Sequence, residues 1–107
     1  MATFDEREKG FETKYSRDQE LDFKVTARRN KLLGLWAAEK MDISGADAEA
    51  YAKEVVMSDF EKPGEEDVVE KVMSDFSDKN AGVAENELRV EMARLMGTAR
   101  EQIESEG

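Results

Sequence analysis

The run ARRNKLLGLWAAEK, residues 27–40, decides how the fold is read. Around Trp36, the only tryptophan, Leu32, Leu33, Leu35, Ala37 and Ala38 form an apolar stretch broken only by Gly34. At about 100° per residue, Leu21, Val25, Leu32, Leu35 and Trp36 share one face of a helix, and Phe23, Ala27, Gly34, Ala38 and Met41 fall roughly opposite. A helix apolar on two sides packs against more than one neighbour, which makes this segment the expected central post of a helical bundle. The second face is small at Ala27, Gly34 and Ala38, so a neighbouring helix can come close. Glycine costs about 1 kcal/mol of helix propensity relative to alanine, so Gly34 implies a packing reason.

The post is expected to begin near Ser16 to Gln19, with Ser16 or Asp18 as cap, and the pattern gives helices over 18–42, 45–61, 65–78 and 84–104. Ser44, with Asp47 three residues on, reads as the cap of the second helix, whose apolar positions are Ala48, Tyr51, Ala52, Val55, Val56 and Phe60. Pro63 and Gly64 end it. Glu65, Glu66 and Asp67 then stand at the positive end of a third helix that buries Val68, Val69, Val72, Met73 and Phe76. Gly82 separates this from a fourth helix with Leu88, Met92, Leu95, Met96, Ala99 and Ile103 on one stripe. The pentapeptide VMSDF occurs at 56–60 and at 72–76. That spacing is shorter than a helix-pair repeat, and it reads as two similar last turns without functional meaning. The fold class is all-α, a four-helix bundle over residues 19–107 behind an N-terminal segment, residues 1–18.

Residues 1–18 carry Phe4, Phe11 and Tyr15 on one narrow helical stripe, and Thr3 with Glu6 makes a capping-box pattern. Gly10 interrupts the segment, and isolated helices this short are marginal in water. Alone it is expected to be largely disordered or only nascently helical.

With 107 residues, 39% of them charged, no Cys and no His, the chain is expected to be a single domain without disulfides, thiol chemistry or a histidine base. The ordinary ligands of zinc are missing with them. No apolar run suits a bilayer span, and the N-terminus lacks the order of a signal peptide, so a cytoplasmic location without membrane insertion is expected. The net charge of −10 is uneven, since residues 21–40 carry two acids and five bases. Lys24, Arg28, Arg29 and Lys31 are too small a footprint for nucleic acid and read first as a solvated or salt-bridged face.

No enzyme motif is present, and a non-catalytic protein without cofactor or metal is expected. Glu65, Glu66 and Asp67 offer hard oxygen ligands, but a calcium loop started at Asp78 puts Val83 at the glycine position and Arg89 at the glutamate position. From the residues alone, the expected architecture, an acidic helical domain with a charged N-terminal segment, suits an interaction module whose tail folds on a partner, without naming that partner.

Residues 27–69, with RRNKLLGLWAAE, GADAEAYAKEVV and DFEKPGEEDV in that order, resemble the ζ subunit of α-proteobacterial F-type ATP synthases. FDEREKGFETKY, residues 4–15, resembles the start of the same family, so about three quarters of the chain is covered. The resemblance implies an inhibitor of ATP hydrolysis, monomeric when free, whose N-terminal segment enters a catalytic interface of the synthase's soluble head and blocks rotation. On that resemblance the inhibitory residues are Thr3, Phe4, Asp5, Glu6, Arg7, Glu8, Lys9, Phe11, Glu12, Lys14 and Tyr15. Phe4, Phe11 and Tyr15 would form the buried stripe, and the charged residues would make polar contacts. Without His, such an inhibitor would not be regulated by imidazole protonation. Two other classes stay open. One is a nucleotide-responsive protein with weak ADP or ATP contact through Arg28, Arg29 or Lys31. The other is a helical adaptor with a different partner.

Overall fold

A computed structural model describes residues 2–59 and 65–106, with side chains from residue 20 onward. Four helices run in order, α1 (Ala2–Lys40), α2 (Gly45–Ser58), α3 (Glu66–Asp78) and α4 (Glu85–Glu106), and no strand occurs among the described residues. The post was expected to begin near Ser16 to Gln19, but α1 runs unbroken from Ala2, so Ser16 and Asp18 lie within the helix and neither caps it. Phe60 and the Pro63–Gly64 turn lie outside the described residues.

Helix α1 is the post. It packs against α2 and α4 over most of its described side-chain length and meets α3 as well. The core joins Leu33, Ala37, Ala38 and Met41 of α1 to Ala48, Tyr51 and Val55, to Val68, Val69, Val72 and Phe76, and to Leu88, Met92 and Leu95. These positions recur every three or four residues on α2, α3 and α4, as an amphipathic helix requires.

On α1 the buried arc differs from the two faces read in the sequence. Val25, Arg29, Asn30, Leu33, Gly34, Ala37, Ala38 and Met41 are buried, while Leu21, Leu32, Leu35 and Trp36 are only partly so. The core side is therefore one wide arc lying between the two predicted faces. It includes two polar residues that paired hydrogen bonds make tolerable inside a protein. Trp36 is at the core's margin, edge-on to Phe76 with ring centroids 5.9 Å apart, and the Lys40 ammonium is 5.7 Å from its ring centre.

The small face of α1 does what its composition implies. A Cβ added at Gly34 would sit 2.5 Å from the Ala52 Cα and 3.1 Å from its Cβ, so the two backbones touch there. Farther along, the Asn30 side chain reaches Asp59, which makes α1 and α2 an antiparallel hairpin. Their turn is a Schellman closure. The Ile43 amide donates to the Ala38 carbonyl at 2.8 Å and the Asp42 amide to Glu39 at 3.1 Å, with Asp42 in the left-handed region at φ 59°. The same arrangement ends α3, where Ala81 donates to Phe76, Asn80 donates to Ser77, and Asn80 has φ 54°.

Ser44 occupies the N-cap position of α2 with extended backbone, but its hydroxyl makes no capping hydrogen bond. Gly45 follows at φ 62°, a turn outside the geometry that lays a cap side chain over the first amides. The expected capping box with Asp47 is thus absent. At α3, Glu66 and Asp67 stand in the first turn, and the Asp67 carboxylate accepts from the Val68 amide at 2.9 Å.

Candidate partner-binding segment and its scaffold

The residues that the resemblance assigns to partner binding, Thr3 to Tyr15, all belong to the first part of α1. Their side chains lie outside the described residues. What the structure describes is the scaffold that holds the rest of this helix, and its anchoring is polar as well as apolar.

Arg29 is central to that anchoring. Its side chain is 2% exposed, its Nε donates to the Asn30 Oδ1 at 2.9 Å, and its Nη1 pairs with the Glu65 carboxylate at 3.1 Å. Asn30 in turn donates from Nδ2 to the Asp59 carboxylate at 3.1 Å. One relay, buried at Arg29 and Asn30 and open to solvent at Glu65, therefore ties α1 to the end of α2 and the start of α3, on the two sides of their connection. Such a pair adds little net stability, because desolvation offsets attraction, but removing one partner leaves the other poorly solvated and fixes the penalty for any other register. No buried side-chain nitrogen or oxygen among the described residues lacks a partner.

Arg28, one position away, faces α4. It donates to the Gln102 amide oxygen at 2.8 Å and pairs with the Glu106 carboxylate at 2.7 Å, so the last turn of α4 is clasped to α1. Arg100 approaches Asp22 at 3.6 Å on the same pair of helices. These pairs are partly or largely exposed and act mainly on geometry.

The α2–α3 contact has its own cluster. The Tyr51 hydroxyl donates to Asp75 at 2.8 Å, and the Lys71 ammonium donates to the same oxygen at 3.0 Å and to Glu54 at 3.4 Å. Lys71 also lies 5.2 Å from the Tyr51 ring centre. Burial, then the hydrogen bond and charge of Asp75, push the Tyr51 hydroxyl well above the usual tyrosine range. For Lys71 burial acts to lower the pKa, but the hydrogen bond and charge of Asp75 together with Glu54 outweigh it and raise the ammonium above its ordinary value. Both shifts keep protons on the cluster.

Of the basic residues set aside for nucleotide contact, Arg28 and Arg29 are therefore engaged within the bundle, and Lys31 is exposed. The structure separates three residues that the sequence groups together. Asn30, Asp59, Gln102 and Glu106, their partners, carry no signal in the sequence, because each is an ordinary polar residue until the helices meet. At the start of α3, Glu65 is likewise in an ion pair with Arg29, and Glu66 in one with Arg89 at 3.1 Å.

Comparison with known proteins adds the rest. A solved structure, determined by NMR in solution, is 47% identical to the chain. That match covers 81% of this chain and 99% of the other, with a TM-score of 0.74. No curated protein matches significantly. The family model of the ATPase inhibitor subunit zeta matches residues 1–102, taking in the N-terminal segment, the post and all but the last turn of α4. Sequence, fold and family model agree, and the chain belongs to the ATPase inhibitor subunit zeta family.

Proposed function

We propose that the chain inhibits ATP hydrolysis by the F-type ATP synthase, its N-terminal segment entering a catalytic interface of the soluble head and stopping rotation. The observation that carries this reading is the extent of the family match, which begins at residue 1 and so includes Thr3 to Tyr15. The scaffold supports it mechanically. Arg29, Arg28 and the Gly34–Ala52 contact hold one end of the helix that carries the segment, so a load on the segment is transmitted to a packed bundle.

Inhibition of this kind needs no catalytic group, cofactor or metal. Phe4, Phe11 and Tyr15 supply apolar burial at the interface, and Asp5, Glu6, Arg7, Glu8, Lys9, Glu12 and Lys14 supply polar contacts. The free protein is a cytoplasmic monomer that joins the cytoplasmic face of the synthase. The nucleotide-responsive alternative receives less support, because Arg28 and Arg29 are already paired within the bundle.

Replacing Phe4, Phe11 and Tyr15 together with alanine tests the assignment. The bundle should melt as before, since these residues precede its described core, while inhibition of purified ATPase is lost. Full inhibition by the triple variant would refute the assigned stripe.

A further inference from the structure

The arginines of the bundle are spent on partners within it. Arg28, Arg29, Arg89, Arg94 and Arg100 each pair with a carboxylate of this chain. Among the described lysines Lys71 alone pairs with carboxylates; Lys40 and Lys79 do not, and neither do Lys24, Lys31 and Lys53. All three are exposed, and none has a carboxylate within ion-pair distance among the described residues.

Two of these lysines border an apolar groove. Between α1 and α2, Lys31 and Lys53 flank Ala52, Val56 and Met57, with Glu49 at one end. Met57 is 65% exposed, among the most exposed large apolar side chains described. Lys24 lies seven residues before Lys31, two turns along the same face of α1.

We propose that this groove is a second docking surface, which takes an acidic amphipathic helix of the ATPase head. The apolar floor would receive one ridge of side chains, and a carboxylate on either flank of that helix would meet Lys31 and Lys53, with Lys24 extending the contact. Helix-in-groove recognition has this form, and methionine adapts its shape to the incoming ridge. Charge complementarity selects the occupant. A second copy of this chain, strongly acidic, would be repelled as a whole, and an anionic lipid surface would be repelled for the same reason. Both surfaces lie on one helix: Lys24 follows Tyr15 by nine residues, about 14 Å if the chain is helical between them. The contact would therefore add to the N-terminal segment by linkage within one molecule. The proposal rests on the reading that the ATPase head is the partner.

The test titrates purified ATPase head with the full chain and with the Lys24→Glu, Lys31→Glu, Lys53→Glu variant, measuring Kd, its salt dependence and hydrolysis at saturation. Glutamine at the same three positions is the milder second variant. Thermal melts check that both still fold, which their exposed sites favour. The glutamate variant should bind at least about tenfold more weakly at low salt, converge on the native chain at high salt, and still inhibit fully at saturation. The glutamine variant should fall between. A photo-crosslinker at position 57 should join an acidic helix of the head.

Equal Kd and salt dependence in all three chains would overturn the groove and leave the inhibitory reading untouched. So would a crosslink to a second copy, or a lysine effect confined to phosphatidylserine vesicles. If the native chain bound in a lysine-dependent way without inhibiting, the inhibitory reading would fail and the groove would stand.

Discussion

Substituting Gly34 with alanine tests the packing of the post more sharply than any truncation would. The new Cβ would lie 2.5 Å from the Ala52 Cα, 3.1 Å from the Ala52 Cβ and 3.3 Å from the Val55 Cγ2. The nearest of these atoms is backbone, so no side-chain rotation relieves the clash, and α2 must move outward by about 1 Å to reach ordinary contact. A gap of that size forfeits a quarter to a half of the attraction of the atoms that line it. Overpacking of this kind costs roughly 1–3 kcal/mol, against which the better helix propensity of alanine returns up to about 1 kcal/mol. The net expectation is a destabilisation of about 1–2 kcal/mol, or roughly 5–10 °C in Tm for a domain of this size. Gly97→Ala is the matched control. No atom lies within 4 Å of a Cβ there, so the same substitution should stabilise by about 0.5–1 kcal/mol. Urea and thermal unfolding followed by helical circular dichroism would report both. A Gly34→Ala protein as stable as Gly97→Ala would refute the backbone contact between α1 and α2.

Three further outcomes are expected. Glu65→Ala leaves the Arg29 guanidinium buried with Asn30 as its side-chain partner among the described residues, and should cost on the order of 1–2 kcal/mol in urea unfolding. Tyr51 and Lys71 both hold their protons more tightly folded than unfolded, so their contribution is complete below about pH 10 and is lost as pH rises beyond it. Unfolding titrations from pH 8 to 11 should show this decline, and Tyr51→Phe should make it shallower. Gly10→Ala should tighten inhibition by several-fold, equivalent to up to about 1 kcal/mol, if the segment binds as a helix, which a dose–response series with purified ATPase would measure.

The four helices were legible because their signals are local, namely period-3.6 apolar positions and Gly82, although the first begins at Ala2 and not near residue 18. Gly34 was legible as a site of close approach for the same reason, since small residues at Ala27, Gly34 and Ala38 share one face. The orientation of α1 was not. Arg29 and Asn30 fall within the buried arc, and a hydropathy pattern places an arginine at the surface unless its partners are known. Those partners, Glu65 and Asp59, stand 36 and 29 residues away. Reading Arg28, Arg29 and Lys31 as a solvated or salt-bridged face holds, with the two arginines paired and Lys31 exposed, but charge counting does not say which cation is which. The missing Ser44 cap has a local cause that composition hides, namely the positive φ of Gly45. The candidate inhibitory residues were named from the resemblance, since a narrow aromatic stripe at Phe4, Phe11 and Tyr15 marks an amphipathic segment without naming what covers it.

In the proposed function the N-terminal segment inhibits and the bundle carries it. ATP hydrolysis by the purified head, titrated with the full chain and with a chain lacking residues 1–18, measures this most directly. The full chain should reduce hydrolysis to a low plateau, and the truncated chain, still melting cooperatively, should leave it unchanged at every concentration. Equal inhibition by the truncated chain would contradict the account.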